Sequence, residues 1–304
     1  MTASALPEGP VNRVGLLQAQ GDSNANRNRG DGRRSRAVGV WAAWAIALLM
    51  GFTAWPAASA AEYKVALEPA YPPENNVQIY QPLLDYLSRE TGHRFVAVSA
   101  RNYNFHWRDL RQAAAVDFAF EEAHFTDYRA QRQGFRPLAR LAERTSYALI
   151  AQPELAEGGM DALVGKRLVS MTSPSLGYAL LFEMFTNPIA QPDIRSEAAS
   201  WRDGVEMIFG DEADAAMVPR FIADLYPNLQ VMSVSREFPG MAFSAAPGIP
   251  EEVATAVREA LLKLHENPEA YQVLVEIGST RFEPTRAAEY AGSQDMLKGF
   301  FGYQ

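Results

Sequence analysis

The sequence predicts an α/β protein of two similar lobes, and three observations lead there. From Ala61 onward, short apolar runs alternate with amphipathic stretches at helical spacing, as strands and helices do in α/β proteins. The alternation falls into two modules of like layout. Each ends in an aspartate followed by a small or apolar run: Val116-Asp117-Phe118-Ala119-Phe120 in the first and Ala213-Asp214-Ala215-Ala216-Met217-Val218 in the second. The chain has 304 residues and is 48% hydrophobic, enough for one large or two modest domains.

The elements follow in order. Val65-Ala66-Leu67 reads as a first strand, ending in a Pro- and Asn-rich loop. Tyr80, Leu83, Leu84 and Leu87 at i, i+3, i+4, i+7 then mark a helix closed by Gly92. Phe95–Val98 is the second strand. An aromatic loop over 102–107 and a helix from about Trp107 lead to a third strand, Phe118–Phe120. Ser146–Ala151 is a longer apolar run. In the second module Leu168–Ser170 is a strand, Thr172–Gly177 a turn, and Tyr178–Phe185 a helix. Trp201–Phe209 is a further helix, and Ala215–Val218 and Val231–Val234 are strands. Pro250 opens a helix carrying Val253, Val257, Leu261 and Leu264 on one face. Asn267-Pro268 starts another, with Asn as N-cap and Pro at the first helical position.

The first sixty residues differ from the rest. Arg33, Arg34 and Arg36 precede an uncharged run, Ala37–Trp55, which leads to small residues with Ala58 and Ala60 in an A-x-A pattern. These are the parts of a secretory signal peptide, with cleavage expected after Ala60. An uncleaved anchor is the alternative, since about 20 apolar residues span a bilayer. The arginine pair resembles a twin-arginine signal but lacks the large apolar residue that should follow it. Without 1–60 the body carries 22 basic and 33 acidic side chains, near −11, against −8 for the whole chain. Such acidity argues against nucleic acid and anionic lipid as partners. The absence of cysteine excludes a Cys-ligated metal site, a disulfide framework, a Cys nucleophile and a Cys-linked lipid anchor.

Catalytic and nucleotide motifs are lacking: no G-x-S-x-G, H-E-x-x-H or G-x-G-x-x-G after a strand occurs, and Gly159…Gly165-Lys166 misses P-loop spacing by one residue. His93 and His265 read as solvated. Glu121 and His124 follow the third strand at its carboxyl end, where open α/β sheets bind ligands. They suit a hydrogen-bonded ligand, a cationic group or, with Glu122, a metal; a solvated acidic helix start is the plain alternative. Thr172, Ser173, Ser175 and Tyr178 lie at a helix start that offers hydroxyls and free N–H groups to an anion, or simply caps itself.

The ordered segments PLLDYLSRETG, VDFAFEEAHFTDYR, TSYALIAQPE, LVGKRLVSMTSPSLGYALL, WRDGVEMIFGDEADAAMVP and FPGMAFSAAPGIPEEVATAVREALLKL resemble the phosphonate/phosphite/phosphate family of periplasmic solute-binding proteins of ABC importers. The likeness runs from about Tyr63 to the C-terminus. It implies the type II periplasmic-binding fold, with each lobe a mixed sheet flanked by helices and a ligand cleft between them. Lobe 1 would be 61–147 and 241–304, lobe 2 148–240, joined by crossovers at Ser146–Ala151 and near Phe238–Phe243. Cleft residues would be Tyr71, Glu121, His124, Ser146, Thr172, Ser173, Ser175, Tyr178 and, with Val218, Pro219. The family's helix start is richer in hydroxyls and ends in Ser-Gly, whereas here Pro174 and Leu176 intervene; each absent hydroxyl forfeits about 1.5–3 kcal/mol toward a charged group.

The expected function is therefore a monomeric periplasmic protein that closes on a small polar or zwitterionic ligand, including a phosphonate-like oxyanion. It would serve an ABC permease and its ATPase, with no cofactor, no metal, no catalysis and no stable membrane insertion once the leader is gone. Tyr71, Tyr103, Trp107 and Trp201 would supply apolar walls. A ligand-sensing accessory protein for a membrane signalling partner and a periplasmic metal-binding protein are the alternatives.

Overall fold

The computed structural model describes residues 60–304, so the leader expected over 1–60 lies, except for Ala60, outside the described residues. The strands, in chain order, are β1 (Glu62–Leu67), β2 (Arg94–Ser99), β3 (Phe118–Glu121), β4 (Arg136–Leu141), β5 (Tyr147–Ala151) and β6 (Arg167–Met171). They continue with β7 (Asp193–Ala198), β8 (Ala215–Pro219), β9 (Gln230–Val234), β10 (Ala242–Ala245) and β11 (Phe282–Pro284). They form a six-stranded sheet in the order β11-β4-β10-β3-β1-β2 and a five-stranded sheet in the order β7-β6-β8-β5-β9. Both are mixed. β1 runs parallel to β2 and β3 while β10 is antiparallel to β3 and β4; β6 runs parallel to β7 and β8 while β5 is antiparallel to β8 and β9.

The helices are α1 (Pro73–Thr91), α2 (Tyr103–Arg111), α3 (Ala123–Tyr128), α4 (Pro153–Ala156), α5 (Leu176–Met184), α6 (Trp201–Phe209), α7 (Arg220–Ala223), α8 (Glu251–Lys263) and α9 (Pro268–Glu276). Local chemistry sets their ends as the sequence suggests. Gly92 closes α1 in the left-handed conformation, and Asn267 caps α9 by accepting from the amides of Glu269 and Ala270. Tyr80, Leu83, Leu84 and Leu87 of α1 are all buried in one core with Val65, Phe118, Phe120 and Phe243. Among the described residues no helix is long and apolar enough to cross a membrane.

The likeness of the two modules has a structural cause. Asp117 accepts from the Lys64 amide at 2.7 Å, and Asp214 accepts from the Arg167 amide at 2.8 Å. Each aspartate thus ties the start of its strand, β3 or β8, to a neighbour, β1 or β6, fixing register where hydrogen bonding begins.

The chain crosses between sheets twice, over 142–146 and 235–241, and the crossings meet where Thr145 and Phe238 exchange backbone hydrogen bonds of 2.9 and 2.8 Å. Most of Ser146–Ala151, expected as a crossover, is the interior strand β5; the crossing itself precedes it. The C-terminal stretch also departs from a simple first-lobe assignment. Tyr290, Met296 and Leu297 share a core with Tyr147, Leu180 and Val205 of the five-stranded half, and Phe300 packs against Tyr178 and Phe182 of α5.

Gly240 sits where the crossings touch. A Cβ there would lie 2.5 Å from the carbonyl oxygens of Glu143 and Leu141, which are backbone and cannot yield cheaply. Gly240→Ala should cost about 1–3 kcal/mol, lowering Tm by roughly 2–4 °C per kcal/mol. Gly248→Ala, which meets open space, should leave Tm unchanged or slightly raised; a thermal melt of both variants checks this.

Candidate functional site

The carboxyl ends of β1, β3 and β8 converge on a cavity of about 250 Å³ between the two sheets. Its inner wall holds Glu68, one residue beyond β1, and Glu122, one residue beyond β3. Aromatic rings surround them: Tyr71, Tyr80 and Tyr103 from the six-stranded half, Trp201 and Phe221 from α6 and α7. The other side is built from the crossing residues Arg144, Thr145 and Ser146 with Pro219, Arg220 and Asp224.

Glu121 and Glu122 are adjacent and both buried, yet their surroundings are opposite. Glu121 faces a fork: Arg129 donates Nε–H to Oε2 at 2.6 Å and an Nη2 hydrogen to Oε1 at 2.8 Å, and His106 Nε2 lies 3.0 Å from Oε1. Burial alone would raise the Glu121 pKa, but Arg129 and then His106 hold it down at about 2. Glu122 points into the cleft. Its Oε1 accepts from the Tyr147 hydroxyl at 2.7 Å, and its Oε2 is buried with no hydrogen-bond partner. Glu68 accepts from the Glu122 amide at 2.6 Å and from the Tyr103 hydroxyl at 3.2 Å. Among the described residues neither Glu68 nor Glu122 forms an ion pair. Burial pushes Glu122 up to about 7; burial, then the charge of Glu122, raises Glu68 well above the usual carboxylate range.

Of the residues expected at the cleft, the structure brings Tyr71, Ser146 and Pro219 to the cavity wall. Glu121 is turned away into its ion pair with Arg129. His124 is fully buried beside the site, donating from Nε2 to the Pro174 carbonyl at 3.2 Å, and its Nδ1 has no partner. Burial lowers its pKa to about 3, so it is a neutral imidazole. Thr172 Oγ1 accepts the Tyr103 amide at 3.1 Å across the two halves. Ser175 is spent on capping α5: it accepts from the Tyr178 amide at 3.3 Å and donates to the Met171 carbonyl at 3.2 Å. Ser173 precedes Pro174 through a cis bond and Tyr178 packs on Phe300; neither lines the cavity. The α5 start is therefore closed by its own cap and by first-half contacts. Trp107 lies under Tyr128 and Tyr303, away from the cavity, while Tyr103 and Trp201 serve as walls as expected.

Sequence reasoning missed Glu68, although the rule that ligands gather beyond strand carboxyl ends points to it as much as to Tyr71. Glu68, Glu122 and His124 also offer donor atoms within 4.8 Å of one another, so the metal-type grouping expected from Glu121, Glu122 and His124 exchanges Glu121 for Glu68.

The family described as "ABC transporter, phosphonate, periplasmic substrate-binding protein" matches residues 65–290. The chain belongs to that family. A member of this phosphonate-binding family is a substrate-binding component of transport. Solved structures share the fold. PhnD1 of Prochlorococcus marinus, in complex with methylphosphonate, is 14% identical with a TM-score of 0.65, over 77% of this chain and 96% of that one. A binding component of an ABC phosphonate transporter from Pseudomonas aeruginosa is 16% identical with a TM-score of 0.64, over 78% and 86%. A Xanthomonas citri protein bound to ATP is 17% identical with a TM-score of 0.58, over 78% and 98%. No curated protein matches the sequence.

Two predictions test this wiring. Arg129→Met strands the buried Glu121 charge and should destabilise the protein by about 3–5 kcal/mol, measured by denaturant unfolding. Glu122 has a folded pKa above its unfolded value, so it binds more protons when folded and its contribution to stability is lost as pH rises from about 4.5 through about 7. Glu122→Gln removes that loss. Its Tm relative to wild type should therefore climb between pH 5 and 8; a flat difference would contradict the burial of an unpaired carboxyl here.

Proposed function

We propose that this family member is the solute-binding subunit of an ABC importer, and that its ligand occupies the cavity between the sheets. One observation carries the reading: the cavity lies at the strand carboxyl ends of both halves and is walled by residues from each, so a solute there bonds to both and favours their closed arrangement. The lobes would divide at the two crossings, with 61–147 and 241–304 on one side and 148–240 on the other. The C-terminal stretch would strap both.

The charges orient the solute. Burial keeps the carboxyls of Glu68 and Glu122 largely protonated near neutral pH, and a positive group beside them would draw them into the ionised state, which an oxyanion would oppose. Arg144 and Arg220 also line the cavity, paired with Glu237 at 3.0 Å and Asp224 at 2.7 Å in half-exposed ion pairs that cost little to rearrange. A small zwitterion fits, its positive end inward and its anionic end toward the arginines. The cavity lies below the range of about 300–1,000 Å³ typical of drug-sized ligands, which keeps the solute small. The protein would be exported with its leader removed after Ala60, act as a monomer, and hand its solute to a permease driven by an ATPase without making or breaking a bond.

Thermal shift with methylphosphonate, phosphite, phosphate and 2-aminoethylphosphonate tests the reading. A binder at a hundred times its Kd stabilises by about 2.7 kcal/mol. The zwitterion should give the largest shift, and Glu68→Gln together with Glu122→Gln should remove its advantage over methylphosphonate. A larger shift with phosphate or methylphosphonate would reverse the proposed orientation.

A further inference from the structure

We infer that a groove between α2 and the C-terminal stretch docks an acidic segment of the membrane partner that takes the solute from the cleft. That there is such a partner rests on the reading above. The chemistry of the segment comes from the groove itself, whose lining residues are all different from those of the solute cavity.

The sequence places Phe105, Arg108 and Arg111 three residues apart, so they share one face of α2. Phe301 and the buried Trp107 line the groove with them, and the amides of Asn104 and Gln112 complete it. Its volume is about 560 Å³, within the range of about 300–1,000 Å³ that binding sites occupy. No carboxylate lines it.

Positive charge gathers here against the trend of the molecule. The body is strongly acidic, yet Arg101, Arg108 and Arg111 are all exposed at this face. Arg101 and Arg108 both lie over the Phe105 ring, 4.5 and 4.7 Å from its centre, and Arg111 lies 5.7 Å from the centre of the Trp107 ring. Asp109 pairs with Arg108 at 2.7 Å, while among the described residues Arg101 and Arg111 form no ion pair. A guanidinium lying over a ring has its weakly hydrated face covered and its donor edge free, which is the arrangement that receives a carboxylate.

The exposure of these arginines decides what kind of anion suits them. A lone small anion would make one or two exposed ion pairs, each weak and screened by salt. A chain segment lays several carboxylates beside the three arginines at once while an apolar side chain fills the space among Phe105, Trp107 and Phe301, so that weak contacts sum within one molecule. Phe301 also ties the groove to the two halves. Arg111 donates from Nη1 to the Phe301 carbonyl at 2.6 Å, and the neighbouring Phe300 packs on Tyr178 and Phe182 of α5. One wall of the groove therefore belongs to the stretch that joins both halves, which suits a partner that must tell a loaded protein from an empty one.

Fluorescence anisotropy of the purified protein with a peptide of one tryptophan flanked on each side by two glutamates, carrying a neutral dye, tests the inference. The same peptide with glutamines in place of the glutamates, and phosphatidylglycerol vesicles, are the comparison probes. The glutamate peptide should bind about tenfold more tightly than the glutamine one and lose that advantage as salt rises. Arg101→Glu together with Arg108→Glu should abolish the preference, and Phe301→Ala should weaken both peptides. Arg258→Glu together with Lys263→Glu, an equal charge change at exposed positions of α8, should leave it in place; circular dichroism checks that each variant folds. Equal binding of the two peptides, no binding of either, or an equal loss in both double variants overturns the inference. Vesicle binding that the Arg101 and Arg108 variant loses, with no peptide bound, overturns it in favour of a membrane contact. The assay contains no cleft solute, so its failure leaves the cleft reading standing, and failure of the thermal shift series would remove the partner's assignment without touching the peptide preference.

Discussion

The site depends on how the chain leaves β3. Glu121 closes the strand and Glu122 opens the turn into α3, so the change of backbone direction sends two consecutive carboxylates to opposite sides of a buried corner. One finds a guanidinium six residues beyond Ala123, the start of α3, at the π-helical turn Arg129–Gln133. The other finds only hydroxyls and a second carboxylate. A buried carboxylate with a bidentate arginine is a settled structural element, whereas one without a cation is costly wherever the interior is dry. The corner thus fixes α3 on the sheet with Glu121 and leaves Glu122 as the carboxyl that lines the cleft.

The second half closes on this same corner. Tyr147 reaches Glu122, Thr172 reaches the Tyr103 amide, and the Pro174 carbonyl orients His124. Two segments of the five-stranded half, the start of β5 and the turn after β6, therefore bond to groups that follow β2 and β3. The C-terminal strap adds apolar contact outside these bonds, with Met296 and Leu297 buried between the halves and the Gln294 amide donating to Asp127 at 3.0 Å. The polar bonds set the register of the halves, and the strap supplies burial.

Much of this was legible in the sequence because periodicity and capping are local. Helices begin where Asn267 and Pro250 say they should, and the paired aspartates mark equivalent strands. What escaped was set by position in the sheet. β7 and β11 are edge strands, one charged and one of three residues, and neither carries an apolar run to find, as the edge strands β2 and β9 do. β4 carries Arg136 and Arg140, the latter paired with Glu283 and Glu289, so its charges masked a strand. At the site, Glu121 and His124 were rightly placed near a strand end, but which way each side chain turns depends on Arg129 and Pro174, and no local pattern announces those partners. The hydroxyl-rich helix start read equally as an anion site or as a cap, because both draw on the same residues; the three-dimensional contacts of Ser175 show capping.

The acidity of the body and of the cleft bear on how a ligand drives closure. A ligand shifts a conformational equilibrium only by its differential affinity for the two states. In the proposed closure Glu68 and Glu122 would leave water with the hydroxyl of Tyr147 and no cation, so closing over an empty cleft would cost either their desolvation or the uptake of protons. A solute that brings positive charge offsets that cost in the closed state and has little to offset in the open one, where water does the same. An anionic solute would offset none of that cost, and these carboxyls would have to be protonated for the halves to close around it. Discrimination between solutes of equal size would then reside less in the contacts each makes than in whether the closed state can form around it at all.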